Sequence, residues 1–272
     1  MNTARLKNIV IIILLLANAF LLVLLFSLQA EENAANRRTV EQLCELFASD
    51  GVALDASMLE RFSAAPYRAA QPVRDISAEQ TLAEGVIGAV SSVDSGGGIY
   101  RYYSAAGMSG GVCLIRGSGA LEATLSRETD DPSEFCRALC APYGYEIFET
   151  QTDGAVTTVT ANRMLDGLEV YNCPLTFSFS GSVLVSVSGF FLPLIETEED
   201  GGTALDAATA LVRFLDYRNA SGTVCTEITG LAGGYLLQSS AGAPQQLAPV
   251  LRVETDVYSY YVNAETGEVT RG

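Results

Sequence analysis

The pattern of apolar residues divides the chain into a membrane segment and a long amphipathic remainder. Residues 9–28 are uncharged and almost wholly apolar. At the rise of an α-helix, a run of this length spans about 30 Å, which is the thickness of a bilayer's hydrocarbon core. The pattern therefore predicts a transmembrane helix at 9–28, preceded by a short segment at 1–8.

The residues around this span predict its orientation. Arg5 and Lys7 precede it, so the positive-inside rule places residues 1–8 in the cytoplasm and everything from Glu31 onward outside. The run exceeds the roughly 7–15 apolar residues of a cleavable signal peptide, which favours a retained anchor. A signal peptide that is cleaved near Ala30 is the alternative. The predicted location is the plasma membrane, with a single pass and an extracellular ectodomain.

The predicted span contains one amide side chain, that of Asn18. An amide in hydrocarbon seeks a hydrogen-bond partner, commonly on another helix, although it can also bond along its own backbone. Asn18 is therefore the candidate partner-binding residue inside the membrane.

Helical and strand periodicities alternate beyond the membrane. Residues 31–128 form an N-terminal part of the ectodomain. It contains an amphipathic helix at 39–50, a second helix that opens at Ser77, the loop SSVDSGGG and then glycine-separated strands. The prolines between Ser63 and Asp75 indicate a surface connection.

The rest of the sequence repeats one pattern. The residues DPSE at 131–134 predict a helix start, and alternating strands follow it. A later helix, predicted to be capped by Thr203, is followed by strands that end in the hairpin 257–270. These patterns predict helix–sheet units at 129–195 and 203–272, and hence an α+β fold with helices packed on one face of each antiparallel sheet.

Composition narrows the possible functions. The chain has no histidine, which excludes Ser-His-Asp and Cys-His catalysis and the usual zinc hydrolases. Lys7 is the only lysine, so Schiff-base chemistry outside the membrane is excluded as well. All 32 acidic residues follow Ala30, against 14 arginines, and this balance of −18 repels nucleic acid and anionic membrane surfaces.

Three groups of residues remain as candidate chemistry. Carboxylate pairs at 130–131, 198–200 and 265–268 have the composition of a glycosidase site, but each also fits a helix cap, a linker or a hairpin tip. The six cysteines are expected to be buried free thiols, with disulfides as the alternative. The tyrosines near 100–103 and 258–261 either form a recognition surface or divide between core and solvent faces. No catalytic residue, metal site or cofactor is predicted.

Four stretches of the sequence carry a family resemblance. They are LANAFLLVLLF in the predicted anchor, EQLCELFASDGVAL in the first helix, IYRYYSAAG in a strand and turn, and PVLRVETDVYSYYVNAETGEV at the end. In their order they resemble the YycI-type members of the YycH/YycI family. The resemblance implies a noncatalytic, membrane-anchored regulator that binds a cell-wall two-component sensor histidine kinase of Gram-positive bacteria, together with a YycH-like partner.

Two other classes of function stay open. The repeated helix–sheet units and the terminal hairpin also suggest a PepSY-like extracytoplasmic protease inhibitor or propeptide-type module. An enzyme that acts on wall polymers through a carboxylate pair is the third interpretation.

Overall fold

The computed structural model describes residues 20–21, 34–62, 70–107, 110–197, 205–239 and 245–272. The predicted segment 1–8, Asn18 and most of the predicted span 9–28 lie outside these residues; only Phe20 and Leu21 of the span are described, and both are helical. Within the described part of the chain, no helix has the length and apolar character needed to cross a bilayer.

The described residues form the following helices and strands. The helices are α1 (34–49), α2 (Ala56–Arg61), α3 (Ile76–Ile87), α4 (Pro132–Cys140) and α5 (Ala207–Ser221). The first strands are β1 (Ala70–Val73), β2 (Val90–Gly96), β3 (Ile99–Ser104), β4 (Val112–Arg116), β5 (Ala120–Glu128), β6 (Tyr145–Asp153) and β7 (Val156–Leu165). The remaining strands are β8 (Leu168–Ser180), β9 (Val183–Phe190), β10 (Leu194–Thr197), β11 (Ile228–Gln238), β12 (Gln246–Thr255), β13 (Ser259–Asn263) and β14 (Val269–Arg271).

One structural unit, a helix followed by four antiparallel strands, occurs three times. The copies are α3 with β2–β5, α4 with β6–β9, and α5 with β11–β14. The sequence predicts two such units, and the structure places a third within residues 31–128. A mixed α+β fold with a large sheet and few helices is confirmed.

An aspartate directly precedes each of the three helices α3, α4 and α5 and caps its N-terminus. Asp75 accepts from the backbone N–H groups of Ser77 and Ala78, Asp131 accepts from two N–H groups in its own helix, and Asp206 accepts from the N–H of Thr209. An N-cap carboxylate satisfies N–H groups that have no partner inside the helix. The predicted start at 131 is confirmed. The predicted helix opening at Ser77 is wrong, because Asp75 is the N-cap of α3. Thr203, the predicted cap of α5, lies outside the described residues, and Asp206 caps that helix.

The first two units join into one sheet. The last strand of each unit pairs antiparallel with that of the other, β5 with β9, so that Ala123 lies opposite Val187. The resulting strand order is β2-β3-β4-β5-β9-β8-β7-β6, with the first strand of each unit at an outer edge. The helices α3 and α4 both pack on one face, over a core that includes Tyr102, Ile115 and Phe177.

The third unit extends the sheet through the long strand β8. Its C-terminal half lies in the eight-stranded part, whereas Glu169 and Val170 pair in parallel with β11. The strands β1 and β10 add to this second part beside β12, and the terminal hairpin β13–β14 pairs with the other end of β12. The helices α1 and α5 pack here around Phe47 and Phe214. The predicted pairing of the terminal hairpin into a sheet is confirmed.

Candidate functional site

The described carboxylates that the sequence singled out lie at a helix start and at the terminal hairpin. Asp131 is a helix cap, and Glu265 and Glu268 are exposed at the terminal hairpin. The run 198–200 lies outside the described residues. In the described ranges, no cluster of three or more cysteine or acidic side chains has the arrangement of a metal site.

The cysteines lie mostly in the core as free thiols, as predicted. All six are unpaired, and every one except Cys44 is buried. Burial raises the pKa of the Cys113, Cys140 and Cys173 thiols to about 12. A thiol with so high a pKa is almost wholly protonated at neutral pH, so these side chains pack as small apolar groups.

The eight-stranded part has a second face, opposite α3 and α4, that we call the open face. The pairing register aligns its side chains in two rows that cross all eight strands. The first row is Ser92, Tyr103, Val112, Thr124, Ser186, Ser178, Thr158 and Gln151. The second row is Asp94, Arg101, Leu114, Glu122, Ser188, Thr176, Thr160 and Glu149. All these side chains are exposed or half-buried, so hydroxyl groups dominate the centre of a solvent-accessible face.

The charges at one end of the open face neutralise one another. Arg101 lies 3.5 Å from Asp94 on the neighbouring strand, measured from Nη1 to Oδ2. Arg116 donates to Glu122 with an Nη1–Oε1 distance of 2.8 Å. Although residues 31–272 as a whole are strongly acidic, this end of the face therefore carries little net charge.

An aromatic and apolar depression lies beside these ion pairs. It has a volume of about 670 Å³ and is lined by residues of β2 to β5, among them Ser92, Tyr103, Val112 and Thr124. Tyr103 is 40% exposed, whereas its neighbour Tyr102 is buried in the core. The same division separates Tyr258 from Tyr260, so the predicted distribution of tyrosines between core and solvent is confirmed.

A second group of polar residues lies where β8 meets the third unit. Arg252 on β12 approaches Glu169 at 3.7 Å and Glu254 at 2.6 Å. Its guanidinium carbon lies 4.7 Å from the centre of the Tyr171 ring. Asn162 on β7 donates to the other carboxylate oxygen of Glu169 at 2.5 Å. These side chains connect the second and third units through charge, because Glu169 and Arg252 come from different units.

The carboxylate of Glu169 makes this connection sensitive to pH. Burial raises the pKa of Glu169 above its ordinary value of 4.5, and the nearby Arg252 and the Asn162 hydrogen bond offset this only in part. The folded state then holds the proton more tightly than the unfolded chain does. The stabilisation that results is complete below the unfolded pKa and is lost as the pH rises through the folded pKa.

We therefore expect Glu169→Gln to gain stability relative to the unmodified protein as the pH rises from about 4 to about 7. Urea unfolding at several pH values measures this difference. Glu254→Gln, which removes the other carboxylate near Arg252, is the matched control. A Glu169→Gln difference that stays constant across the pH range contradicts the prediction.

The sequence contains a pattern that predicts the open face, but no pattern that predicts the contact of Glu169 with Arg252. Polar and apolar residues alternate in LTFSFS at 175–180, and this alternation marks the polar and the buried side of β8. The predicted alternation of Val183, Val185 and Val187 in β9 is wrong, because a register shift directs Leu184 into the core. Glu169 and Arg252 are 83 positions apart in the numbering. No local pattern links them, because their contact depends on how β8 pairs with β11.

Comparison with solved structures finds distant likenesses. No family model and no curated protein match the chain. The crystal structure of an uncharacterized protein from Eubacterium rectale ATCC 33656 gives a TM-score of 0.45 at 13% identity, covering 75% of this chain and 80% of that one. The Bacillus megaterium YpeB C-terminal domain gives a TM-score of 0.40 at 12% identity, covering 74% and 98%. Likenesses this distant carry no functional conclusion, and the resemblance to the YycH/YycI family stays a prediction.

Proposed function

We propose that the protein is a noncatalytic, membrane-anchored regulator whose outer part binds other proteins through the open face. The observation that carries this proposal is the composition of the open face. It has an exposed tyrosine, an apolar depression and arginine–carboxylate ion pairs, and serine and threonine side chains lie next to them. Exposed aromatic and apolar side chains with little unpaired charge are typical of the centre of a protein interface.

The dimensions of the open face suit such a role. Eight strands spaced about 4.8 Å apart extend roughly 34 Å across the sheet. Five residues along a strand add about 17 Å. A surface of this size is comparable with the roughly 800 Å² that each partner buries in a standard protein interface.

The proposed partners are a sensor histidine kinase and a YycH-like protein, and the resemblance of the sequence to YycI-type proteins supports them. Moving a kinase from 1:99 to 99:1 between two states requires about 5.5 kcal/mol of differential binding. A single interhelical hydrogen bond from Asn18 contributes roughly 0.6–2 kcal/mol. The ectodomain therefore supplies most of the regulatory bias, while Asn18 orients the membrane helices.

Co-purification of the full-length protein from its host membrane tests this function. We expect a sensor kinase and a YycH-like protein to be recovered, and Tyr103→Glu to reduce their recovery at least tenfold, because it places a charge in the depression. Tyr258→Glu is the matched control, since Tyr258 is 47% exposed but lies outside the open face. Recovery that both variants leave unchanged would show that the open face is not the interface.

A second candidate function rests on the threefold repetition of the helix-plus-four-strand unit. That repetition suits a PepSY-like module that inhibits extracytoplasmic peptidases. Inhibition of peptidases in the host's culture medium by the purified protein, without recovery of any kinase from membranes, would favour this function.

A further inference from the structure

The two outer edges of the eight-stranded part are equivalent by position. β2 and β6 are the first strands of the first two units, and in the described ranges each of them pairs on one side only. Each is followed by a two-residue turn, Gly97–Gly98 after β2 and Gly154–Ala155 after β6. Ser95 and Thr152 therefore occupy matching positions, as do Val93 and Thr150.

The turn determines which backbone groups of β2 point outward. Gly96 and Ile99 flank the two-residue turn and form the hydrogen-bonded pair that closes the hairpin. Hydrogen-bonded and non-hydrogen-bonded pairs alternate along an antiparallel ladder. The N–H and C=O groups of Ser95 and Val93 therefore point away from β3. They form a row of donors and acceptors that the backbone of another strand can satisfy.

The side chains leave β2 open but protect β6. β6 carries three carboxylates, at Glu146, Glu149 and Asp153. The register of each strand is interrupted once, so a bulge does not distinguish β2 from β6. Charged side chains are a device by which edge strands avoid pairing with other chains. β2 has one carboxylate, Asp94, and this lies within an ion pair with Arg101.

At the β2 edge, the side of the sheet that faces α3 also leaves an apolar side chain partly exposed. Val93 lies opposite the buried Tyr102 on the side of the sheet that faces α3, and it is 46% exposed. At the matching position of β6 the polar Thr150 lies opposite the buried Val159. At this position a strand that is added beside β2 would cover an apolar side chain, whereas one beside β6 would cover a threonine. Phe148 of β6 is also exposed, but it lies where the register of β6 is interrupted.

Charge indicates the composition of the added strand. The ectodomain balance of −18 repels a second copy of the chain and any acidic segment. Glu84 is exposed on α3, the helix that packs against β2, and adds to this preference. Opposite charge favours encounter with a basic segment.

We propose that β2 is a docking edge that accepts an extended, basic peptide segment of a partner protein as an additional strand. This inference rests on the proposed function, because it identifies one contact that such a partner makes. The backbone of the segment pairs with the outward groups of Val93 and Ser95, and an apolar side chain covers Val93.

Alternating octapeptides test the chemistry of this edge. The probes are (Lys-Val)4, (Glu-Val)4, and a (Lys-Val)4 peptide that is N-methylated at every second residue. Binding to the full-length protein in detergent is followed by fluorescence anisotropy. We expect (Lys-Val)4 to bind at least tenfold more tightly than (Glu-Val)4, and the methylated peptide to lose binding because it lacks half of its backbone donors. Equal binding of the methylated peptide would overturn the proposal.

Two substitutions locate the binding. Ser95→Pro removes an outward N–H without removing a bond to β3, and is expected to weaken (Lys-Val)4 binding at least tenfold. Thr152→Pro makes the same change on β6 and is expected to leave binding unchanged. Val93→Thr, which gives β2 the residue type found on β6, is a milder variant that also weakens binding. Equal effects of Ser95→Pro and Thr152→Pro would show that β2 is not the site.

Two further results separate this inference from the proposed function. If Ser95→Pro leaves kinase recovery from membranes intact, the docking edge is wrong while the regulatory function stands. If no kinase is recovered with the unmodified protein but (Lys-Val)4 still binds at β2, the regulatory function is wrong and the edge is retained. Sedimentation that shows a dimer dissociated by Ser95→Pro would identify a second copy as the occupant and overturn the proposal.

Discussion

Replacing Phe177 with alanine is expected to lower the free energy of unfolding by about 3–5 kcal/mol. Phe177 lies on β8 near the centre of the eight-stranded part, and its side chain is 0% exposed. Its neighbours Val159 and Val187 are held opposite it by the strand ladders, so they move little into the space that the ring leaves. Urea unfolding followed by circular dichroism measures the loss.

Phe148→Ala is the control for this substitution. Phe148 lies on the edge strand β6 and is 62% exposed, so its removal opens no cavity. Its effect is expected to stay within about 0.5 kcal/mol. Similar losses for the two variants would show that β8 does not direct Phe177 into the core.

Replacing Gly189 with alanine is expected to destabilise the protein by roughly 2–6 kcal/mol. The backbone of Gly189 has φ +133°, and an added Cβ would lie 1.9 Å from the carbonyl oxygen of Pro174 and 3.1 Å from the Cα of Leu175. Both atoms belong to the backbone of β8, so no side-chain rotation relieves the overlap. The strands β8 and β9 would have to separate at Gly189, next to the pairing of β9 with β5 that joins the first two units.

Gly181→Ala separates the backbone contribution from the contact with β8. Gly181 lies in the turn between β8 and β9 with φ +60°, and an added Cβ would meet no heavy atom within 4 Å. Its expected cost is only the conformational penalty, about 1–2 kcal/mol. A Gly189→Ala cost no larger than this would mean that β9 does not approach β8 as closely as the structure shows.

The helix starts could be predicted from sequence only where the local signals agree. At 131 an aspartate is followed by a proline and then by an acidic residue, and the predicted start is correct. Before α3 and α5, Ser77 and Thr203 are also residue types that cap helices, and the sequence offered no means of choosing between them and the aspartates. The position of the helix's first turn against the sheet determines which of the neighbouring candidate residues becomes the cap.

The strands β1 and β2 escaped prediction. β2 has the sequence VSSVDSG, in which apolar and polar residues do not alternate, because most of its side chains are exposed. It was predicted as a loop, although it is the strand on which the docking proposal depends. β1 was predicted as a surface connection, and it pairs with β10 so that Gln71 lies opposite Glu196. Pairing between such distant segments leaves no trace in a local window.

The open face was only partly visible in the sequence. Alternation at 175–180 indicated the buried and polar sides of β8, but in β9 a register shift broke the alternation. The alignment of Tyr103 with Thr124 and Ser186 depends on the pairing of β5 with β9, which joins two separate units. That pairing has no local signal, because it is determined by packing between distant segments.

The sequence by itself determined the apolar run 9–28, the acidity of everything that follows Ala30, the α+β class and the buried side of β8. These properties depend on residue type and on spacing along a few turns or strand pairs, so neighbouring residues suffice to define them. Only the tertiary structure decided that β5 joins β9, that β8 continues into the third unit, and that β2 is left at an edge. These features arise from hydrogen bonds and burial between residues far apart in the chain, where each segment's partner is selected by the packing of the whole fold.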